Sequence, residues 1–206
     1  MSSTETDAPI AGFQGEYRWL SNFWPSVVVI DGAPYPTVEH AYQASKTGDL
    51  KAREKIRRSP TPGKAKRLGR QAKLSLLWES EKIDVMRGLL MQKFSHLHPE
   101  LRKKLLATGH GKIIEANSWG DQVWGACLEN GVYVGENHLG HLLMEVRERI
   151  RLAEGLSLDL AHELALFPKL LAAAEAVLTE SQDANYGQLR AAVEQAKGRL
   201  NERKEK

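Results

Sequence analysis

The chain contains a single cysteine, Cys127. One thiol cannot form an internal disulfide, so packing alone must hold the fold, and this usage fits a reducing compartment. Apolar runs are short as well: none approaches the roughly 20 residues that cross a bilayer. The opening residues lack the charged-then-apolar order of a secretory signal. A cytoplasmic protein with no membrane association is expected. Metal-ligand spacing is also missing. His96 stands near His98 and His138 near His141, but no HExxH or CxxC pattern joins them, so neither a metal nor another cofactor is expected. Net charge is low: +3 is too small to define a nucleic-acid binder by itself.

What the chain does have is enough apolar content, 42% of 206 residues, for one good core, so one main domain with an appendage is expected. Its charge is unevenly spread. Between Lys51 and Lys73 stand ten Lys or Arg residues and one acid, Glu54. Such a run is either a solvated face or a local positive field that anionic ligands feel.

The most informative stretch is residues 35–46, which puts polar, reactive side chains where a packing helix wants apolar ones. Thr37 follows a proline and is placed to accept from the amides of the first turn, so a helix is predicted to begin at Val38. Glu39, Gln43 and Lys46 then stand at i, i+4 and i+7 and share one face. A carboxylate, an amide and an amine point the same way. The plain alternative is a solvated stripe.

Residues 1–11 are small, polar and acidic and read as a disordered leader. Residues 12–25 are punctuated by glycine and rich in aromatics, which either plug a core edge or form a stacking wall for a base. Val27, Val28, Val29 and Ile30 read as a short buried strand, and Asp31 with Gly32 signals a hairpin turn towards Tyr35. Helices are predicted over residues 50–58, capped by Asp49, and 63–71, announced by Thr61 and Pro62. Apolar spacing predicts a core-facing helix over 79–96, another over 99–108, and a long one after Asn137 carrying Leu139, Leu142, Leu143, Val146 and Ile150. Residues 112–116 read as a strand and Val132 to Val134 as a second. The loop between them carries Trp119, Asp121, Trp124 and Gly125.

Ser21, Asn22 and Phe23; Val38 to Ala41 with Gln43, Ala44 and Lys46; Gly69 and Arg70; Trp78 with Lys82 and Met86; Asp121 with Trp124 and Gly125; and Gly135, Asn137, Leu139, Gly140, Leu143, Met144 and Arg147 together resemble the NADAR family in order and approximate spacing. The resemblance runs from Gly12 to Arg151 and implies an α+β fold, a mainly helical single domain around a small β-sheet. It also implies cleavage of a bond between a ribose C1′ and a nitrogen leaving group. Two substrate types are known for the family: ribosylamino-pyrimidine phosphates of riboflavin synthesis, and guanine bases in nucleic acid that a toxin has ADP-ribosylated. The implicated positions fall on Glu39, Trp78, Asp121 and Trp124, with Lys46 implicated in members that remove ADP-ribose. Ser21, Asn22, Phe23, Gln43, Arg70, Gly125 and Asn137 are the further expected substrate contacts.

The chemistry calls for these residue types. Breaking the C1′–N bond builds positive charge on the sugar, which a carboxylate stabilises, while a second carboxyl protonates the leaving nitrogen or activates water. Glu39 and Asp121 divide those roles in either order, and Asp121 is also a natural turn former. Trp78 and Trp124 can sandwich a base. Lys46 offers another route: an unprotonated amine attacks C1′ of an opened ribosylamine to form a Schiff base, its pKa depressed by the basic cluster. Its alternative role is a salt bridge that holds Glu39. The substrate expectation is ADP-ribose on guanine in DNA, toxin–antitoxin fashion, with the pyrimidine phosphate as the alternative. A non-catalytic reader of ADP-ribose or NAD and a nucleic-acid-binding module are the contrasting classes. Residues 153–206 lie outside the resemblance and read as a C-terminal helical hairpin that docks on the core or on a second subunit, giving a homodimer in the latter case.

Overall fold

The computed structural model describes residues 9–158 together with 191, 193 and 194. Most of the expected leader and the expected C-terminal hairpin lie outside the described residues. The chain divides into two compact units, residues 1–151 and 152–206. In the second, residues 152–158 are helical.

In the first unit, strand β1 (Ile10–Ala11) and a 3-10 turn (Gly15–Leu20) precede a hairpin of β2 (Pro25–Ile30) and β3 (Ala33–Thr37). Asp31 and Gly32 take φ of 49° and 76°, the positive pair that a two-residue hairpin turn requires. The hairpin is not buried on both faces. Ser26 and Val28 point inward, whereas Val27 and Val29 remain 54% and 44% exposed, the alternation of a strand with one wet face. Its edge is closed by side chains instead: Gln92 Nε2 donates to the Val29 carbonyl while its Oε1 accepts from the Val29 amide, and His98 donates to the Val27 carbonyl.

The hairpin feeds α1 (Val38–Ser45), whose first turn is capped by Thr37 Oγ1 accepting from the His40 amide. This short helix is the hub. It packs on the hairpin, on α2 (Leu50–Arg57), on α3 (Pro62–Gln71) and on α4 (Trp78–Lys93), and every residue from Val38 to Ala44 is buried. The solvated stripe, the plain alternative for this stretch, is absent from α1. A helix buried all round can keep polar side chains only by pairing them. His40 shows how. Its Nε2 donates to the Ser59 carbonyl, which leaves Nδ1 to accept from the Thr37 hydroxyl, so burial holds the ring neutral and ties α1 to the turn between α2 and α3.

Helix α4 ends at Lys93 rather than at 96, because the Ser95 hydroxyl accepts from the Leu97 amide and turns the chain towards α5 (Pro99–Leu106). Lys93 itself is fully buried. Its ammonium donates to the Leu20 and Ser21 carbonyls at 3.1 and 2.7 Å, pinning the loop after the 3-10 turn, and burial pushes its pKa down to about 7.

The expected strand over 112–116 is two strands. β4 (Ile113–Ile114) pairs with β1, and β5 (Ala116–Asn117) pairs with β6 (Ala126–Glu129), which in turn pairs with β7 (Val132–Val134). The described residues therefore form three small sheets rather than one. Residues 138–151 form a helix, α6, which buries Leu139, Leu142, Leu143, Val146 and Ile150 in one core with Leu20, Val38, Leu90, Phe94 and Ile113. Arg147, also buried, donates to Thr108 Oγ1 and the Gly111 carbonyl, fixing the turn after α5. Among the described residues no helix is long and apolar enough to cross a membrane.

Candidate functional site

A cleft of about 490 Å³ opens between α1, α3, the loop at residues 21–23 and the loop at 115–124. That is ample for a sugar phosphate or part of a nucleotide. One wall is α1. Glu39 Oε1 accepts from Gln43 Nε2 at 2.8 Å, one helical turn on, and the Glu39 amide donates to the Asn22 carbonyl at 3.0 Å. Burial raises the Glu39 carboxyl above its ordinary range, although the Gln43 bond and the nearby Lys66, Lys46 and Arg70 pull the other way. Gln43 in turn needs Gly69. A Cβ at that position would run into the Gln43 side chain, so only glycine lets α3 lie this close to α1.

Lys46 completes this wall, and its pKa is lowered. Burial is the main cause. Lys66 and Arg70 add to it, while Glu39 opposes it. The like-charge repulsion expected from the sequence is thus the lesser contribution. No ion pair joins Lys46 to Glu39 among the described residues. The ammonium lies instead 5.2 Å from the Tyr42 ring centre and 5.8 Å from that of Trp78.

The loop wall is held differently. Asp121 Oδ1 accepts from the Val123 and Trp124 amides at 3.2 and 2.9 Å, while Asn117 brackets the Asp121 main chain from both sides. That makes Asp121 the brace of the turn that delivers Trp124, with one carboxylate oxygen already engaged. Trp124 and Trp78 do not face one another across an open slot: Tyr42 sits against both, edge to face, at 5.4 and 5.0 Å.

Of the residues singled out in the sequence, Ser21, Asn22 and Phe23 line the cleft, as do Glu39, Gln43 and Lys46, and Arg70, Asp121 and Trp124. Trp78, Gly125 and Asn137 do not. Trp78 is buried and packs edge to face on Tyr42. Gly125 and Asn137 work on the backbone. A side chain on Gly125 would strike the Glu115 carbonyl, and Asn137 bridges β4 and the Glu115 amide through its Nδ2 and Oδ1. His138, one of the histidines weighed as a metal ligand, pairs with Glu136 and packs on Trp124, and no group of three or more ligating side chains converges among the described residues.

The structure adds residues that sequence reasoning did not place in the site: Glu115 and Tyr42 line the cleft. Lys66, from the basic run, and Trp119, from the aromatic loop, line it as well. Lys66 stands at i−4 from Arg70, so both share one face of α3. Glu115 was hidden inside what read as a regular strand. Among the described residues two buried acceptors, Asn22 Oδ1 and Gln43 Oε1, have no hydrogen-bond partner.

The NADAR domain model matches residues 12–151. The N-glycosidase YbiA of Escherichia coli strain K12 is 45% identical over 139 residues, covering 66% of this chain and 82% of that protein. N-glycosidase Npun_R5314 of Nostoc punctiforme is 39% identical over 140 residues, 66% of this chain and 86% of its own. The riboflavin biosynthesis protein VVA0006 of Vibrio vulnificus is 36% identical over 137 residues, which span 66% of this chain and 36% of that longer protein. The NMR structure of E. coli YbiA superposes with a TM-score of 0.63 at 41% identity, covering 72% of this chain and 88% of that one. A helical fold around small sheets, a matching domain over most of the chain and relatives of this similarity place the protein in one group: the chain belongs to the NADAR family.

Proposed function

We propose that this protein is an N-glycosidase that hydrolyses the C1′–N bond of a phosphorylated ribosyl group, and that its substrate is ADP-ribose attached to guanine in nucleic acid. The observation that carries this reading is the composition of one cleft: a buried carboxylate, Glu39, beside a lysine of lowered pKa, Lys46, with Lys66 and Arg70 on the adjoining helix. The carboxylate stabilises charge developing at C1′. Lys66 and Arg70 supply cations for a phosphate or pyrophosphate, the guanidinium as a two-pronged donor.

Lys46 is suited to nucleophilic attack because more of it is unprotonated than of an exposed lysine. In that route the ribosyl ring opens, the Lys46 nitrogen bonds to C1′, the leaving nitrogen departs with a proton, and water later releases the sugar from the Schiff base. The second reading, a ribosylamino-pyrimidine phosphate as substrate, draws on the relatives named for riboflavin biosynthesis.

Purified protein is offered an oligonucleotide ADP-ribosylated on guanine and, separately, a ribosylamino-pyrimidine phosphate, with Glu39→Ala as the control for each. Free ADP-ribose with restored guanine is the expected product. Ribose 5-phosphate alone moves the assignment to the pyrimidine substrate, and ADP-ribose binding without turnover of either makes the protein a reader. Borohydride is expected to trap a sugar adduct on the wild type and none on Lys46→Ala; full turnover by Lys46→Ala removes the covalent route.

A further inference from the structure

The cleft contains three carboxylates, and their engagements differ. Glu39 accepts from Gln43, Asp121 accepts from two turn amides, and the Glu115 carboxyl makes no hydrogen bond or ion pair among the described residues. Its backbone is the opposite case. The Glu115 amide donates to Asn137 Oδ1 at 2.9 Å, and its carbonyl accepts from the Ala126 amide at 3.0 Å, so the residue where β4 gives way to β5 is pinned from both sides. A rigid main chain with an unengaged side chain lining the cleft is how a fold presents a reactive group.

We propose that Glu115 is the proton donor to the departing nitrogen, with Glu39 stabilising the sugar cation and Asp121 bracing the turn beneath Trp124. The assignment rests on the N-glycosidase reading above. As the C1′–N bond breaks, its electron pair goes to nitrogen, and the Glu115 proton follows, leaving a carboxylate. Water then adds its oxygen to C1′, at the sugar cation or at the Lys46 Schiff base, and returns a proton to Glu115, so the net change is addition of water across the bond. The electrostatics suit the role. Burial, helped by Asp121 and Glu39 and opposed by Lys66 and Lys93, raises the Glu115 pKa to about 7. Lys46 and Arg70 line the same cleft.

The test uses Glu115→Gln and two leaving groups. One substrate is whichever N-ribosyl compound above is turned over. The other is p-nitrophenyl ribofuranoside 5-phosphate, whose phenolate leaves without a proton. On the N-ribosyl compound, Glu115→Gln is expected to lose about 10³-fold in kcat, and on the nitrophenyl compound less than about tenfold. A general acid works only while protonated, so wild-type kcat falls as pH rises through about 7, and Glu115→Gln abolishes that fall. Equal losses on both compounds, or an unchanged pH profile, overturn the assignment while leaving the N-glycosidase reading in place. Turnover of neither compound by the wild type overturns both. Folding is checked on Glu115→Gln by its melting temperature, expected to stay near that of the wild type because the pinning bonds are main-chain.

Discussion

The helix wall and the loop wall of the cleft are built by opposite means. On α1 the spacing of 3.6 residues per turn aligns Glu39, Gln43 and Lys46, and pairing within the helix joins Gln43 Nε2 to Glu39 Oε1, leaving Gln43 Oε1 as the polar atom without a partner on this wall among the described residues. On the loop side no periodicity operates. Asp121, Asn117 and Asn137 spend their side chains on backbone amides and carbonyls so that Glu115 and Trp124 are held still. A regular element positions chemistry through its own geometry, whereas an irregular one needs other residues to brace it. Substitutions in the two walls should therefore fail in different ways.

The largest effect is expected at Glu39. Glu39→Gln removes the charge but keeps the shape and a hydrogen-bonding partner for Gln43, so kcat should fall by about 10³-fold or more with the melting temperature little changed. Retention of a tenth of wild-type activity would reduce the helix wall to a scaffold and break the contrast.

The loop wall should instead tolerate chemistry that preserves bracing. Asp121→Ala deletes the acceptor for the Val123 and Trp124 amides and is expected to cost about 10²-fold in kcat, together with about 1 kcal/mol of stability from the lost cap-like bonds. Asp121→Asn keeps an Oδ1 acceptor and should recover to within about tenfold of the wild type. An Asn variant as inactive as the Ala variant would instead give Asp121 a charge-dependent role.

The two walls also differ in how far the sequence revealed them. The α1 wall was legible down to its cap, because Thr37 and the i, i+4, i+7 spacing are local properties of the chain. What local pattern could not convey was that every side of α1 would be covered, since that depends on α2, α3 and α4 arriving from later in the chain. Glu115 was illegible for the same reason: the strand breaks there because Asn137, 22 positions away, captures its amide. Trp78 read as a base-stacking residue, whereas in the fold it is buried, packs edge to face on Tyr42 and does not line the cleft. The positive run from Lys51 to Lys73 likewise divides in space. Arg53 pairs with Asp31, and Arg57 and Arg58 pair with Glu54, while Lys66 and Arg70 alone of the run line the cleft.

Gly69 tests whether the helix wall depends on close packing. Gly69→Ala places a methyl group where the buried Gln43 side chain lies. An overpacked contact of this kind costs about 1 to 3 kcal/mol. The measurement is a urea midpoint, expected to fall with an unchanged slope. A midpoint equal to that of the wild type would mean that α3 can move away from α1.

The smallest effect, and the one that divides the basic run, concerns Lys66 and Arg70 against Arg58. If the first two hold the substrate phosphate equally in ground and transition states, Lys66→Ala and Arg70→Ala should each raise KM by about tenfold and leave kcat nearly unchanged. A substrate analogue lacking the phosphate should erase the difference between these variants and the wild type. Arg58 is highly exposed and already paired with Glu54 on the outer face of α2, so Arg58→Ala should alter neither constant. A tenfold rise in KM for Arg58→Ala on an oligonucleotide substrate, absent on a free ribosyl phosphate, would extend the binding surface from the cleft across α2. The positive run would then work as one surface rather than two, because only a polyanion long enough to leave the cleft can reach a charge that does not line it.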